Sequence, residues 1–325
     1  MSNFRWAIIG TGGIARAFAE DLKRLDGHEV VAVGSRTIAS AQDFAVQFPG
    51  AKPYGSYEEL VAVDADAVYV ATPHPMHHEN TLLAMRAGKA VLCEKAFTVN
   101  AAQARELVNY SQSHKIALME AMWSRFLPHL QQVKQIVSDG TLGEITNIIA
   151  DHGQYIPYSR APRLWEPELG GGALLDLGIY PLTLAHLLLG SPSSIRAEAT
   201  LTDKGVDLNT SMLLHYPTGA HALLSCTMAS RGSVGALIAG DKARIEIDGS
   251  FYAPTSFRVI TRDGNVTEYP NKYDGHGLRE EAAEFARIVR AGQIESPLMP
   301  HTVSIELMEM MDEIRGQIGV KYPQE

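Results

Sequence analysis

The sequence predicts a chain in two parts: an α/β region with a doubly wound parallel sheet, then an α+β region with a mostly antiparallel sheet. Three observations predict it. Short apolar runs alternate with helical patterns from residue 6 to about residue 119, as strands joined by crossover helices do. The first run closes on a glycine turn, Gly10-Thr11-Gly12-Gly13-Ile14-Ala15, that leads straight into a helical pattern. From about residue 195 onward, apolar runs recur at hairpin-like spacing, punctuated by turns such as Pro217-Thr218-Gly219 and Asp263-Gly264-Asn265.

Trp6-Ala7-Ile8-Ile9 is the first strand, and a helical pattern follows through Phe18, Leu22 and Leu25. Val30-Val31-Ala32-Val33 is the second strand and stops at Gly34-Ser35-Arg36-Thr37. Strand, glycine turn, helix, strand is the opening of a dinucleotide-binding fold. Gly10 lets the chain turn tightly. Gly12 leaves room for a pyrophosphate to approach the backbone, and Ala15 is small enough for close helix–strand packing. The free N–H groups of residues 12 to 15 and the helix dipole then face the phosphates. The end of the second strand selects the cofactor. An acid about 20 residues past the turn would bind the ribose 2′-hydroxyl of NAD. Ser35, Arg36 and Thr37 stand there instead. Their hydroxyls and guanidinium suit a 2′-phosphate, and the guanidinium can stack on adenine. NADP is therefore expected in preference to NAD.

Further along, Ser56-Tyr57-Glu58-Glu59 reads as a capping box. Asp66–Ala71 is a buried strand ending at Thr72-Pro73, and a helix runs from His77 or His78 to Ala87. Lys89–Cys93 is a strand ending at Glu94-Lys95. Asn100 caps a helix to about Ser113, and Ile116–Met119 is the last strand of the series. Ligand sites on parallel sheets lie beyond the carboxyl ends of the strands. Residues 10–15, 35–37, 72–77, 94–95 and 120–125 all fall at such ends. Thr72, His74, His77, Glu94, Lys95, Trp123 and Arg125 are accordingly cofactor-binding candidates, and the segments are expected to converge on one crevice.

The pattern changes after residue 122, which predicts a domain of residues 1–122 and a second of 123–325. Leu130, Val133 and Val137 suit a helix ending at Asp139-Gly140, and a strand covers Glu144–Ala150. An irregular aromatic stretch reaches Pro167, and Gly170-Gly171-Gly172 opens a strongly apolar helix, Ala173–Leu189. Strands are expected at Ile195–Thr202, Leu208–Tyr216, Ala220–Met228, Val234–Ala239, Ala243–Ile247 and Phe257–Ile260. Helices at about Leu278–Ala291 and Val303–Ile318 close the chain.

At 325 residues the chain is long enough for two domains with a large core. A net charge of −9 argues against nucleic acid as the main partner. Two cysteines, Cys93 and Cys226, do not make a disulfide framework. No charged-then-apolar leader precedes the first strand, and no apolar run is expected to span a bilayer. A soluble cytoplasmic protein is the expectation. His74, His77 and His78 do not complete a metal site, because no cysteine or carboxylate set accompanies them.

Asp176 and Tyr180 are four residues apart, so on an α-helix they share a face. On spacing alone, the simpler assignment has Asp176 bound to nearby backbone amides and Tyr180 packed in the core. A wider pattern bears on the choice. Residues 10–15, Glu94-Lys95, Trp123-Ser124-Arg125-Phe126-Leu127-Pro128 and Gly170–Tyr180 together resemble the glucose–fructose oxidoreductase/inositol dehydrogenase (GFO/IDH/MocA) family over nearly the whole chain. Within that family the chain is most similar to the dimeric dihydrodiol dehydrogenases and the NADP-dependent D-xylose dehydrogenases. The resemblance implies a Rossmann domain followed by an α+β domain with an open antiparallel sheet. It implies hydride transfer between NAD(P) and a hydroxyl of a sugar, cyclic polyol or trans-dihydrodiol.

By position, the resemblance gives Lys95 the reacting hydroxyl and the nicotinamide ribose. Tyr180 stands where many relatives have a catalytic histidine. A phenol has a pKa of about 10, which the nearby Lys95 ammonium would lower. Asp176 would orient the substrate or Lys95. His77 matches a position near the nicotinamide, and Trp123 and Arg125 lie beside the cofactor crevice, with Trp123 a substrate candidate as well. Tyr155 and Trp165 are candidate substrate-facing aromatics, with ordinary packing an equal alternative for each. Relatives usually have proline after the Glu-Lys pair, often with a cis bond, and this chain has Ala96. Without proline a cis bond costs about 3 kcal/mol against trans. Relatives join the uncovered sheet face in a dimer, so a homodimer or larger homo-oligomer is expected. The competing reading is a non-catalytic dinucleotide-binding sensor on the same fold, which need not retain Lys95, Asp176 and Tyr180.

Overall fold

A computed structural model describes residues 3–325. The chain forms two compact units. One comprises the residues up to Trp123 together with Gly275–Ile305, and the other Ser124–Asp274 with Glu306–Glu325.

In the first unit, strands and helices alternate as β1 (Phe4–Ile9), α1 (Gly13–Leu22), β2 (His28–Gly34), α2 (Ile38–Gln47), β3 (Lys52–Tyr54) and α3 (Tyr57–Val61). The series continues as β4 (Ala67–Val70), α4 (His77–Arg86), β5 (Ala90–Glu94), α5 (Ala101–His114) and β6 (Leu118–Ala121). The sheet order is β3-β2-β1-β4-β5-β6, and every neighbouring pair is parallel. The chain winds outward from β1 to β3, then returns to β4 on the other side of β1. That reversal is the switch point beside which nucleotides bind. Every residue of β4 and β5 is buried, as in a sheet covered on both faces. The Ser56 hydroxyl accepts from the Glu59 amide at 3.2 Å and the Asn100 side chain from the Gln103 amide at 2.9 Å, so both expected caps form. The sequence pattern misses α2 and β3. The buried residues of α2 are Ala41 and Phe44, too few to show a period, and β3 is a three-residue edge strand containing Pro53.

The second unit begins with α6 (Pro128–Ser138), β7 (Ile145–Gly153) and α7 (Ile179–Leu189). It continues with β8 (Ser194–Leu201), β9 (Asp207–His215), β10 (His221–Thr227), β11 (Ala236–Gly240), β12 (Ala243–Ile247), β13 (Phe257–Thr261) and β14 (Val266–Tyr269). The sheet order is β14-β13-β12-β11-β7-β10-β9-β8, antiparallel except for the β7–β10 pair. Only β14 is unexpected; its residues are mostly exposed and show no apolar alternation. Side chains alternate between the sheet faces. Ile148 and Ala150 are buried, while Ile149 and Leu223 on the opposite face are each 46% exposed.

Two expectations are corrected in this unit. The stretch Ala173–Leu189 is not one regular α-helix, because Leu174–Gly178 is a π-helical turn that passes into α7. And one stretch, Pro167–Leu189, is long and apolar enough to cross a membrane by length and composition, with mean hydropathy 1.5. The fold accounts for that character, since 78% of its most apolar window is buried inside the protein.

The domain boundaries also change. The first break, at Trp123/Ser124, lies beside the expected one, but the chain then returns. α8 (Arg279–Arg290) belongs to the first unit, and the last boundary falls within α9 (His301–Ile318). The cause is local. The buried Asp21 carboxylate of α1 accepts the N–H groups of His276, Gly277 and Leu278 at 3.0, 2.8 and 2.9 Å. Phe285 of α8 then packs on Trp6, which also meets Phe18 edge-on, with ring centroids 5.9 and 5.2 Å apart.

Candidate active site

In the first unit, the turn after β1 is shaped by glycine. Gly10 has φ +108°, and a Cβ there would fall 2.5 Å from the Ala71 carbonyl oxygen. Gly12 caps α1 without a side-chain bond, and no acid stands in the first turn. A Cβ on Gly12 or Gly13 would meet nothing within 4 Å. Thr11 and Ile14 are half-buried beside this open space, and Ala15 is fully buried beneath it. At the end of β2, the Ser35 amide donates to the Tyr54 carbonyl at 3.2 Å. Thr37 caps α2, its Oγ1 lying 2.9 Å from the Ser40 hydroxyl and 3.4 Å from the Ser40 amide. Arg36 is exposed. Burial pushes the Tyr57 phenol up, and the Arg36 guanidinium pulls it back. No acid stands in the first turn of α2.

The ends of β4 and β5 are tied together. The buried His77 ring lies 2.9 Å from the Ala96 carbonyl through Nδ1 and 2.8 Å from the Thr72 carbonyl through Nε2. Burial pushes this imidazole down to about 4. His74 is also buried and meets His77 edge-on at 5.6 Å. Thr72 accepts from the Asn80 amide at 3.1 Å. The neutral ring has one N–H to donate, and by lying between the Ala96 and Thr72 carbonyls it ties the end of β4 to the loop after β5. His78 bonds Glu106 at 3.0 Å. Among the described residues, no group of three His, Cys, Asp or Glu is placed to hold a metal.

That loop contains a cis Lys95–Ala96 bond. Glu94 is buried at the start of this loop, where it accepts the Tyr69 hydroxyl and, at 3.1 Å, the Lys95 amide. Glu120 from β6 accepts the Phe97 amide at 3.1 Å. Two buried carboxylates thus hold the backbone on either side of Lys95–Ala96. Glu281 of α8 is buried near them, and its oxygens make no hydrogen bond among the described residues. Burial, then the charges of Glu94, Glu280, Glu120 and Asp21, pushes it well above the usual carboxylate range. Trp123 closes the first unit, and Arg125 follows Ser124 at the start of the second. Both are nearly buried in a short 3₁₀ turn, and the Arg125 carbonyl accepts from Gln131.

In the second unit, Tyr180 sits in the first turn of α7 and joins an aromatic cluster. Ring centroids are 4.3 Å apart for His152–Tyr252, 4.5 Å for Tyr180–Tyr252 and 5.2 Å for His152–Tyr180. His152 Nδ1–H donates to the Leu177 carbonyl of the π-turn at 3.2 Å, which leaves Nε2 to accept from the Gln154 amide at 2.9 Å. The same amide lies 3.3 Å from the Tyr252 hydroxyl. Asp176 accepts from Arg163 Nη2 at 3.1 Å. Asp207 of β9 lies beneath the turn, where it accepts the Leu174 N–H at 2.7 Å and the Thr210 hydroxyl at 2.8 Å. Gly172 makes room for it: φ is +109°, and a Cβ would lie 2.1 Å from Asp207 Oδ1. Burial pushes Asp207 up to about 7. Tyr155 is 62% exposed, while Trp165 is half-buried with its indole N–H bonded to the Ile156 carbonyl at 3.1 Å.

Residues 4–122 match the oxidoreductase family with an NAD-binding Rossmann fold, and residues 130–249 match the GFO/IDH/MocA C-terminal domain. The chain belongs to the GFO/IDH/MocA family. D-xylose 1-dehydrogenase (NADP(+)) of Hypocrea jecorina is 38% identical, with 98% of this chain and 93% of that protein covered. Trans-1,2-dihydrobenzene-1,2-diol dehydrogenase of Mus musculus is 37% identical, with 99% and 98% covered. A 3-ketoreductase from Actinomadura kijaniata, solved with NADP and TDP-benzene, superposes with a TM-score of 0.88 at 27% identity over 99% of both chains.

For a GFO/IDH/MocA oxidoreductase the first unit fits a dinucleotide. The amides at the start of α1 are uncapped and open, and no acid repels phosphate there. The sequence pattern misses Ser40, Glu120, His152, Gln154, Arg163, Asp207 and Tyr252. A polar pair ending the apolar strand β7, His152 and Gln154, was the one available signal; the others are joined to the site only by the fold.

Proposed function

We propose that the protein is an NADP-dependent dehydrogenase that moves a hydride between the nicotinamide and a hydroxyl or carbonyl carbon of a sugar, cyclic polyol or trans-dihydrodiol. The observation that carries this reading is the fixing of Tyr180 by His152 and Tyr252, in a family of oxidoreductases. The two rings packed on Tyr180 are themselves joined by the Gln154 amide, so the phenol is held in a defined orientation. The bound cofactor would supply the hydride chemistry. The protein's part is proton transfer and positioning. Tyr180 exchanges the proton of the reacting hydroxyl, and the Lys95 ammonium favours the tyrosinate. Asp176, held by Arg163, orients the substrate. Glu94, Glu120 and His77 fix the loop that carries Lys95. Ser35, Arg36 and Thr37 bind the 2′-phosphate, which gives NADP preference, and the two similar proteins named for NADP agree with that choice.

Lys95, Asp176 and Tyr180 are all present, which favours an enzyme over a non-catalytic sensor. Reduction of NADP⁺, or oxidation of NADPH, against a panel of aldoses, cyclic polyols and trans-dihydrodiols tests the reading. No turnover on any member, with cofactor binding intact, would favour the sensor.

The open face of the second unit's sheet carries a groove of about 710 Å³ lined by Ile149, Leu213 and Leu223 among polar neighbours. We propose that a second copy of the chain covers this face, since the exposed Ile149 and Leu223 are costly to leave in water. Light scattering at micromolar concentration should give at least a dimeric mass, and a monomeric mass would exclude it.

A further inference from the structure

A second cavity in the same unit lies against the Tyr180 cluster. Its volume is about 460 Å³, and its lining includes Gln154, Tyr155, Arg160, Arg231, Ser250 and Tyr252. Tyr252 is the ring that packs on Tyr180. No carboxylate lines this cavity, although the chain as a whole carries a net charge of −9. The nearest acid in sequence on β7, Asp151, accepts from the Ser233 hydroxyl and from the Val234 amide at 3.0 Å, so local donors occupy it. Arg160 spends one N–H on the Tyr155 carbonyl at 3.3 Å. Arg231 makes no hydrogen bond or ion pair among the described residues. Some arginines of this unit have acidic partners, as Arg163 has Asp176 and Arg258 has Glu246, and Arg231 has none among the described residues.

The backbone around the cavity supplies an independent observation. Val234 and Ser250 both line it, and both have positive φ, +54° and +64°. A β-branched residue in that region is an outlier, and such backbone gathers where a binding site over-determines it. The Phe251 amide bonds the Val234 carbonyl at 3.0 Å, which locks the two strained segments together.

We propose that this cavity is an oxyanion subsite, and that the substrate is a sugar bearing a carboxylate or a phosphate. The oxyanion would be held by the guanidinium forks of Arg160 and Arg231, with the hydroxyls of Ser250 and Tyr252 around it. The inference rests on the dehydrogenase reading and narrows it to an acidic substrate class. It makes Arg160 and Arg231 determinants of specificity.

Calorimetric titration of the full-length protein with NADP⁺ present tests it, using D-glucuronate, D-glucose 6-phosphate and neutral D-glucose. Wild type should bind at least one acidic sugar about tenfold or more tighter than D-glucose, and added salt should erode the difference. The better of the two acids identifies carboxylate or phosphate as the natural group. Arg231→Gln should weaken the acid about tenfold, and Arg160→Gln with Arg231→Gln about a hundredfold, with a smaller loss on D-glucose. Equal affinity for neutral and acidic sugars, absence of saturable acid binding, or equal losses on all three ligands would overturn the subsite. Turnover separates the two readings. Turnover of the neutral sugar without preference for either acid leaves the dehydrogenase standing and removes the subsite. Arginine-dependent acid binding with no turnover does the reverse.

Discussion

The glycine cradle of the first unit is built from backbone, whereas the Tyr180 cluster of the second is built from side chains. In the cradle, Gly10 to Ala15 are consecutive, and what they offer is uncapped amides and empty space. In the cluster, Tyr180, His152 and Tyr252 come from a helix, a strand end and a loop, and what they offer is a fixed phenol. A backbone site tolerates variation in its surroundings as long as the turn survives. A side-chain site depends on every element that holds a ring in place. Substitutions in the two should therefore fail in different ways: the first by losing fold or cofactor, the second by losing rate.

The sharpest separation is Tyr180→Phe. Only the hydroxyl goes, so the stacked rings stay. Turnover on the best substrate should fall by roughly 10²–10⁴, the usual range for general acid–base catalysis, with NADP affinity nearly unchanged. Lys95→Met should also lower kcat, and the double variant should lose less than the product of the single losses. Full kcat for Tyr180→Phe across pH would reduce the cluster to packing.

Gly10→Ala comes next and probes the cradle. Its Cβ would strike the Ala71 carbonyl in a conformation that L-residues rarely adopt. A stability loss of about 3 kcal/mol is expected in denaturant titration. Gly12→Ala, with open space around it, should leave the urea midpoint close to wild type and weaken NADP instead. Equal stability losses at both positions would show that the cradle is scaffold throughout.

Asp207 probes the support beneath the second site. Its carboxyl is pushed up to about 7 in the folded chain and returns to about 3.9 on unfolding. Between those values only the folded chain holds the proton, so this group's contribution to stability falls as pH rises. Asp207→Asn has no such proton. The stability of wild type relative to the variant should decline by about 1 kcal/mol per unit from pH 4 to 7 and level off above. Parallel urea midpoints over that range would mean that Asp207 is ionised in the core.

Arg36→Ala is the smallest effect. It should raise the Michaelis constant for NADP about tenfold and leave that for NAD nearly unchanged. Tighter binding of NAD than of NADP by the wild type would remove the premise.

The same contrast explains what could be read from the sequence. Gly10–Ala15, Ser35–Thr37 and the caps at Ser56 and Asn100 work through neighbours a few residues away, so their chemistry is visible in a short window. Lys95, Asp176 and Tyr180 stood out only through family resemblance. Arg163, His152 and Tyr252 did not stand out, because an ordinary arginine, histidine or tyrosine acquires its role when distant segments meet. The π-turn was hidden for a similar reason. Asp207, which binds the Leu174 amide, lies more than thirty residues further along the chain. Glu94 and His77 were visible as polar residues at strand ends, but their part in holding the Lys95 loop was not, because it depends on the Lys95 amide and the Ala96 carbonyl.

The return of residues 275–305 to the first unit bears on how the protein is made. Synthesis runs from the amino end, and domains commonly fold as they emerge. Here the nucleotide-binding unit cannot close on the ribosome when residue 123 appears. Until α8 arrives, Trp6 lacks Phe285, and the Asp21 carboxylate lacks the three amides it accepts. The whole second unit is translated in between, apart from its last twenty residues. A fragment ending at residue 122 would carry Gly10–Ala15 and Ser35–Thr37 and still be an unfinished protein. Supplying residues 275–305 as a separate peptide should complete it.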